Sequence, residues 1–340
     1  MMRTAVVILN WNGRKHLETF LPSVVRHTPT QADIIVADNG STDDSVEFLT
    51  SHFPNVKIIR LEKNYGFAEG YNRALAQLDG YDVFVLLNSD IEPTEGWLEP
   101  LVAQLKQNDD VAVVVPKILD DKCRSKFEYA GASGGFIDIL GYPFCRGRIL
   151  NAIEEDKGQY DTPRDVMWGS GAAFCCRAEV YNELGGLAKE FFAHQEEIDL
   201  CWRVWLSGRR VMVEPRSKVY HLGGATLSTD SPFKTMLNHR NNLAMLFRCA
   251  SPMQRALVAV VRPMLDMAAA MSYLLKGKRA SAKAVWTAWR DFIAWHKRLS
   301  VERKAIRRNV KREAPIYYGS VVLRYMFGKK IFSNLADKIK

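Results

Sequence analysis

Five short aliphatic runs, Ala5–Leu9, Ile34–Ala37, Val56–Leu61, Val83–Leu87 and Val111–Val115, punctuate the first third of the chain, with amphipathic stretches of helical length between them. The runs do not alternate apolar with polar residues. A half-solvated strand would alternate, whereas a parallel strand covered on both faces reads as a continuous apolar run. The pattern therefore dictates an α/β fold with a mostly parallel sheet flanked by helices. Ligands of such sheets gather beyond the carboxyl ends of the strands. Here those ends read Asn10-Trp-Asn-Gly13, Asp38-Asn-Gly-Ser41, Asn64-Tyr-Gly-Phe67 and Asn88-Ser-Asp90, which are the polar, glycine-bearing positions of this half.

Four segments carry side chains able to do chemistry. Asp38 can accept hydrogen bonds from a base or ribose, Gly40 permits a sharp turn, and Ser41 or Thr42 can cap the helix whose first turn holds Asp43 and Asp44. Asp90 ends the most apolar run, so its carboxylate sits on a rigid element and suits a hard divalent cation that completes its shell with diphosphate and water. Glu196, Glu197 and Asp199 crowd three carboxylates at the start of an amphipathic helix. Mutual repulsion and burial there raise a carboxyl toward the range of a general base, although acidic residues also settle the helix dipole. His221 ends another strand beside Gly223-Gly224, where backbone can approach a diphosphate or a metal.

Charge is unevenly spread. Residues 276–340 carry 18 Lys/Arg against 4 Asp/Glu, a net +14 within a chain of net +9, so residues 1–275 stand at −5. Lys276, Lys283, Arg290, Lys297, Lys304 and Lys311 recur every seventh residue and form a basic stripe if the tail is one helix, with Val285, Trp289, Phe292, Ile293 and Leu299 roughly opposite. Such a helix fits an anionic membrane surface, or packs on the catalytic domain with its basic face in water. No nucleic-acid-binding motif accompanies the charge, so no nucleic-acid partner is expected. Six cysteines without CxxC spacing fit a reduced cytoplasmic compartment. With a strand expected to begin at Thr4, no signal peptide is expected. Arg255, Arg262 and Asp266 interrupt the apolar stretch Met253–Leu275, so no transmembrane helix is expected there. Periodicity fades over 116–164 into loops and short strands, a helix is expected from about Arg177 to Leu184 with Gly185-Gly186 ending it, and a boundary near residue 228 separates a catalytic domain (1–228) from a helical basic region (229–340).

Seven segments in order, Val7-Ile-Leu-Asn-Trp-Asn-Gly13, Val36-Ala-Asp-Asn-Gly-Ser-Thr-Asp43, Asn64-Tyr-Gly-Phe-Ala-Glu-Gly-Tyr-Asn72, Leu86-Leu-Asn-Ser-Asp90, Gly169-Ser-Gly-Ala-Ala-Phe174, Glu196-Glu-Ile-Asp-Leu-Cys201 and Tyr220-His221, resemble glycosyltransferase family 2. Within it they resemble the rhamnosyltransferase-like enzymes of bacterial surface polysaccharides, over about residues 3–248. The resemblance implies a GT-A fold and an inverting transfer from a UDP-, dTDP- or GDP-sugar to a hydroxyl of a glycan or lipid-linked glycan. It further implies that Leu9, Asn10, Trp11, Asn12, Asp38 and Asn39 hold the nucleotide and that Asn64, Gly66, Phe67 and Asn72 approach its ribose and diphosphate, with Asn88 and Ser89 beside them. Asp90 and His221 would hold Mg²⁺ or Mn²⁺, where the family's metal motif often begins with Asp in place of Asn88. Glu197, failing that Glu196 or Asp199, would be the base, in a motif that is commonly Glu-Asp. Trp168, before Gly169, stacks on an acceptor sugar unless it is a core residue. Peripheral attachment to the cytoplasmic face of the inner membrane follows from the lipid-linked acceptor and the basic tail. Two other readings share part of this pattern, a nucleotidyltransferase and a non-catalytic sugar-nucleotide-binding or membrane-scaffold protein. The first lacks its Gly-rich phosphate loop, and the second does not require the acidic cluster.

Overall fold

A computed structural model describes residues 2–223 and 231–335. The first third forms β1 (Thr4–Asn10), α1 (Arg14–His27), β2 (Ala32–Asp38), α2 (Ser45–His52), β3 (Lys57–Arg60), α3 (Gly66–Leu75), β4 (Val83–Asn88), β5 (Ile91–Pro93), α4 (Leu98–Gln107) and β6 (Val111–Asp120). The middle contributes β7 (Gly135–Ile137), β8 (Pro143–Cys145), β9 (Arg148–Ile149), β10 (Ala152–Ile153), β11 (Arg164–Asp165), β12 (Ala173–Arg177), α5 (Ala178–Glu183), α6 (Glu196–Leu206) and β13 (Arg210–His221). Five helices follow: α7 (Pro232–Cys249), α8 (Pro252–Leu275), α9 (Arg279–Ala294), α10 (His296–Arg307) and α11 (Val321–Met326).

The main sheet has nine strands in the order β11-β13-β6-β12-β4-β1-β2-β3, with β5 alongside β13. β4, β1, β2 and β3 are mutually parallel, β13 is parallel to β6, and β12 runs antiparallel between β6 and β4. The weakly periodic middle forms a separate four-stranded sheet, β10-β9-β8-β7. Both faces of the main sheet are covered, which is what the continuous apolar runs require. In β4, Val83, Val85 and Leu87 enter the layer shared with α1, α2 and α4, while Phe84 and Leu86 enter the layer shared with α3, α5 and α6. Each such burial contributes about 1.5–3 kcal/mol.

Register positions the site. Asn10 lies opposite Asp38, and Leu9 opposite Asn88, so three strand ends meet at one edge. β13 is long enough to reach β5 and sets His221 opposite Ile91, next to Asp90.

Two expectations about the tail change with the structure, the basic stripe and the interruption of the apolar stretch Met253–Leu275. The boundary near residue 228 lies outside the described residues, and Leu299, Tyr317, Val321, Phe332 and Leu335 are buried in the same apolar cluster as the sheet. The basic stripe at intervals of seven does not lie on one helix, because α9 ends at Ala294 and α10 starts at His296, with Trp295 between them in a turn. Most of the apolar side of α9 is turned inward: Val285 is buried, Trp289 Nε1 donates to Asp266 Oδ2 at 3.0 Å, and Phe292 packs edge-on against Phe247, while Ile293 is exposed. The charges of α8 leave it unbroken, and its 24 residues are long and apolar enough to cross a bilayer, with a mean hydropathy of 1.4 over 18 residues.

Candidate active site

The three strand ends form a hydrogen-bonded shelf. Buried Asn10 donates from Nδ2 to Asp38 Oδ1 and Ser41 Oγ, both at 3.2 Å, while its Oδ1 is out of solvent and unpartnered. Gly13 is required here, since a Cβ would stand 2.4 Å from that oxygen. Asp38 Oδ2 accepts from the Ser41 backbone at 3.1 Å, and Asn12, at φ 50°, accepts from the Thr42 backbone at 2.7 Å. Trp11 stands half-exposed at the lip of the shelf. Asn39 is spent on bracing the next loop: its side chain donates to Asn64 Oδ1 and the Gly66 carbonyl and accepts from the Tyr65 backbone. Asn64 Oδ1 in turn caps the Gly66 N–H at 2.8 Å, at the start of α3.

One corner of the same edge pairs Asp90 with His221. Both side chains are buried, and Nε2 lies 3.2 Å from Asp90 Oδ1. Burial pushes the Asp90 carboxyl up, but the hydrogen bond and charge of His221 outweigh it and hold the acid below the usual carboxylate range. Burial pulls the imidazole down, yet Asp90 and Glu128 carry it up to about 10. Buried Glu128 sits behind the ring with Oε1 3.4 Å from Nδ1. Among the described residues no three acidic, histidine or cysteine side chains converge as a complete metal cage. A carboxylate and an imidazole that gives up its Nε2 proton fit Mg²⁺ or Mn²⁺, which would take their other ligands from phosphate oxygens and water.

The opposite corner holds the acidic cluster at the start of α6. It is delivered by a strained loop in which Phe192, His194 and Gln195 all have positive φ, at 66°, 70° and 74°. Strain of this kind persists only where surrounding contacts impose it. Asn241 of α7 imposes it by donating to the carbonyls of Phe191, Ala193 and His194 at 2.9–3.0 Å. The Phe192 ring fills the space above Gly66, and its carbonyl accepts from the Phe67 N–H at 2.7 Å, which ties this loop to the start of α3. Gly171 closes the gap between Phe67 and Glu197, since a Cβ there would stand 3.2 Å from the ring and 3.6 Å from Glu197 Cβ. Burial pushes the Glu197 carboxyl up to about 7 against the pull of the helix-start N–H groups. Glu196 is driven well above its ordinary range, by burial first and by the neighbouring Glu197 charge second.

The Glycosyl transferase family 2 model matches residues 5–178, half of the chain and all of the hydrogen-bonded shelf. The chain belongs to this family. Its similarity to the N-acetylglucosaminyl-diphospho-decaprenol L-rhamnosyltransferase of Mycobacterium tuberculosis is 24% identity over 256 residues, covering 71% of this chain and 83% of that enzyme. In fold this family 2 glycosyltransferase resembles GalNAc-T7 with UDP, GalNAc and Mn²⁺, at TM-score 0.62 and 17% identity over 77% of this chain and 51% of that one. It also resembles S. aureus TarS 1-349 in complex with UDP, at TM-score 0.56 and 17% identity over 96% and 92%. The expected GT-A fold, an α/β architecture with a mostly parallel sheet, is that of these neighbours.

Within this glycosyltransferase the structure brings Leu9, Asn10, Trp11, Asn12, Asp38, Asn88, Ser89, Asp90 and His221 to one sheet edge, with Asn64, Gly66, Phe67 and Glu197 beside it. Four expected residues are placed elsewhere. Asn72 is committed to the Leu187 backbone through both ends of its amide and to the Tyr181 hydroxyl, so it braces α3. Trp168 is buried, with Nε1 bonded to the Phe136 carbonyl at 3.0 Å, and it offers no face to an acceptor; Gly169 packs on Val115. Asp199 has no exposure and lies between Arg203 and Arg248, whose nitrogens approach Oδ2 to 2.8 and 2.6 Å. Glu128, Asn241 and the loop before Gln195 were not legible as site components. The one signal was an Asn241-Asn242 pair inside an otherwise regular helical pattern.

Proposed function

We propose that the protein transfers a sugar with inversion from a UDP-, dTDP- or GDP-sugar to a hydroxyl of a glycan or lipid-linked glycan acceptor. In this reading it serves cell-surface polysaccharide synthesis on the cytoplasmic face of the inner membrane. The observation that carries the chemistry is the split between two acidic groups at one sheet edge, Asp90 held ionised and Glu197 raised to about 7. Environments that push titratable groups apart in this way mark acid–base roles. The lipid-linked acceptor and the membrane setting take support from the diphospho-decaprenol named for the mycobacterial relative and from the basic C-terminal region.

Asn10, Asp38 and Trp11 bind the nucleoside, and the Asn64–Phe67 turn approaches the diphosphate. Asp90 and His221 would hold Mg²⁺ or Mn²⁺, which when bound would neutralise charge on the departing nucleoside diphosphate. Glu197 takes the proton from the acceptor hydroxyl as its oxygen bonds to the anomeric carbon. The bond from that carbon to the diphosphate breaks on the opposite face, and the electron pair leaves with the nucleotide. A carboxyl titrating near 7 is matched to that proton transfer.

A thermal-shift screen of UDP-, dTDP- and GDP-sugars with and without Mn²⁺ tests the reading, because a ligand specific to the native state stabilises by RT ln(1 + [L]/Kd), about 2.7 kcal/mol at a hundredfold excess over Kd. A Mn²⁺-dependent rise with one nucleotide class is expected. No rise with any class in folded protein would defeat it.

A further inference from the structure

α8 is divided lengthwise. Every polar side chain near its middle faces the protein: Arg262 donates to the Leu140 carbonyl at 3.0 Å and to Asn242 Oδ1 at 2.6 Å, and Asp266 receives Arg262, His239 and Trp289. Gln254 reaches the Ile139 carbonyl from the same side. On the outer side Val260, Met264, Met267, Met271 and Leu274 follow one another at alternating spacings of four and three residues. That spacing makes one stripe, and each of these side chains is between 47% and 68% exposed. The only carboxylate of the helix, Asp266, is on the buried side.

Both ends of the stripe are basic. Arg255 is exposed near its start, and Lys276, Lys278 and Arg279 are exposed just past Leu275, itself 83% exposed. Trp286 of α9, 77% exposed, stands between Lys283 and Arg290 in sequence. A second copy of the chain is a poor occupant, since pairing two such faces in either direction sets basic ends against basic ends. A bilayer with anionic headgroups satisfies both features at once: acyl chains take the Met, Val and Leu side chains, and headgroup phosphates take the flanking Lys and Arg. A span across the bilayer would force the Arg262–Asp266 pair into lipid and strip it of its protein partners.

We propose that the outer face of α8 is the surface by which this protein lies on an anionic membrane, with the helix in the plane of the interface and its inner face seated on the catalytic domain. This names a face for the membrane reading given above, and it stands apart from the glycosyl-transfer chemistry. It displaces the tail stripe from that role, because the stripe is divided between helices and Val285, Trp289 and Phe292 of α9 are taken up inside the protein.

The test is flotation of the full chain with equimolar phosphatidylglycerol–phosphatidylcholine vesicles and with phosphatidylcholine alone. Wild type is expected to float with the anionic vesicles only. The triple variant Met264→Glu, Met267→Glu, Met271→Glu changes exposed positions, and it is expected to weaken vesicle binding by at least about tenfold while its melting temperature holds. A second variant, Lys297→Glu with Lys304→Glu and Lys311→Glu, is expected to keep most of the binding. If the lysine variant stops floating and the methionine variant does not, the assignment to α8 is overturned while membrane association stands. Wild type that ignores anionic vesicles overturns the proposal altogether, as does sedimentation showing a dimer that the methionine variant dissociates. None of these outcomes bears on the nucleotide-sugar thermal shift, so failure here and failure of the transfer reading are distinguishable.

Discussion

The Asp90–His221 corner and the Glu196–Glu197 corner lie at the same sheet edge and are both shielded from water, yet their acids move in opposite directions. Burial pushes all three carboxyls toward the neutral form. At Asp90 an imidazole 3.2 Å away reverses the push. At Glu197 the only opposing groups are N–H donors of the first helical turn, and they do not. Glu196 has the like charge of Glu197 beside it where Asp90 has an opposite one. Partners, more than depth, decide which acid stays ionised to meet a cation and which becomes a base.

The largest effect expected from breaking this contrast is at Glu197. Glu197→Gln keeps the shape of the side chain and removes its proton acceptor, so kcat should fall by about 10²–10⁴ while the nucleotide-sugar thermal shift persists. In wild type the active form is the carboxylate, so kcat/KM should rise with pH through about 7, and the variant should lose that limb. Stability carries the opposite sign. A folded pKa above the unfolded value means that the folded chain binds more protons between the ordinary glutamate value and about 7, so Glu197 favours folding less as pH rises across that window. Urea unfolding above pH 7 should therefore find the glutamine variant at least as stable as wild type. A variant with full transfer rates would place the base elsewhere.

The next effect separates Asp199 from its two acidic neighbours. The sequence crowds three carboxylates into four positions, and the fold sends the third to Arg203 and Arg248. Asp199→Asn leaves two buried guanidinium groups short of a counter-charge and should cost about 3–5 kcal/mol in urea unfolding. At temperatures where the variant is folded, its pH–rate profile should keep the limb near 7. Loss of that limb would show Asp199 shaping the titration of the base.

The parts that were legible share a physical cause. Parallel strands covered on both faces must write continuous apolar runs, and their polar ends must be where the runs stop, so β1, β2 and β4 and the residues Asn10, Asp38 and Asp90 could be read directly. What was not legible depends on register and packing between distant segments. Glu128 lies in a stretch without periodicity and reaches His221 because its backbone N–H is held by Ile118 of β6, while β13 runs alongside β6 as far as Asp120. Asn241 earns its place through a loop whose positive φ angles leave little sequence signature, since no glycine marks them and, of Phe192, His194 and Gln195, only the histidine is a residue enriched in that region. The basic stripe misled because a period of seven locates a face only on an uninterrupted helix, and Trp295 ends one helix and precedes another. Trp168 shows the same limit from the other side: its type suits sugar stacking, and only the Phe136 carbonyl reveals that its indole is spent in the core.

The smallest effect sharpens the comparison at the Asp90 corner by testing what stands behind the imidazole. Glu128 touches His221 at Nδ1, on the side away from Asp90, and its other oxygen is fixed by the Ala130 N–H at 2.6 Å. A carboxylate so placed orients the ring and raises the basicity of the nitrogen that faces a cation, so it is a positioning residue. Glu128→Gln keeps the size and the anchoring carbonyl but removes the charge, and it should weaken Mn²⁺ binding by about 10–100-fold in a titration followed by the free-Mn²⁺ resonance. Saturating Mn²⁺ should restore kcat, because the base across the site is untouched. If Mn²⁺ affinity is unchanged, the Glu128 charge contributes nothing to the cation site, and the difference between the two corners rests on Asp90 and His221 alone.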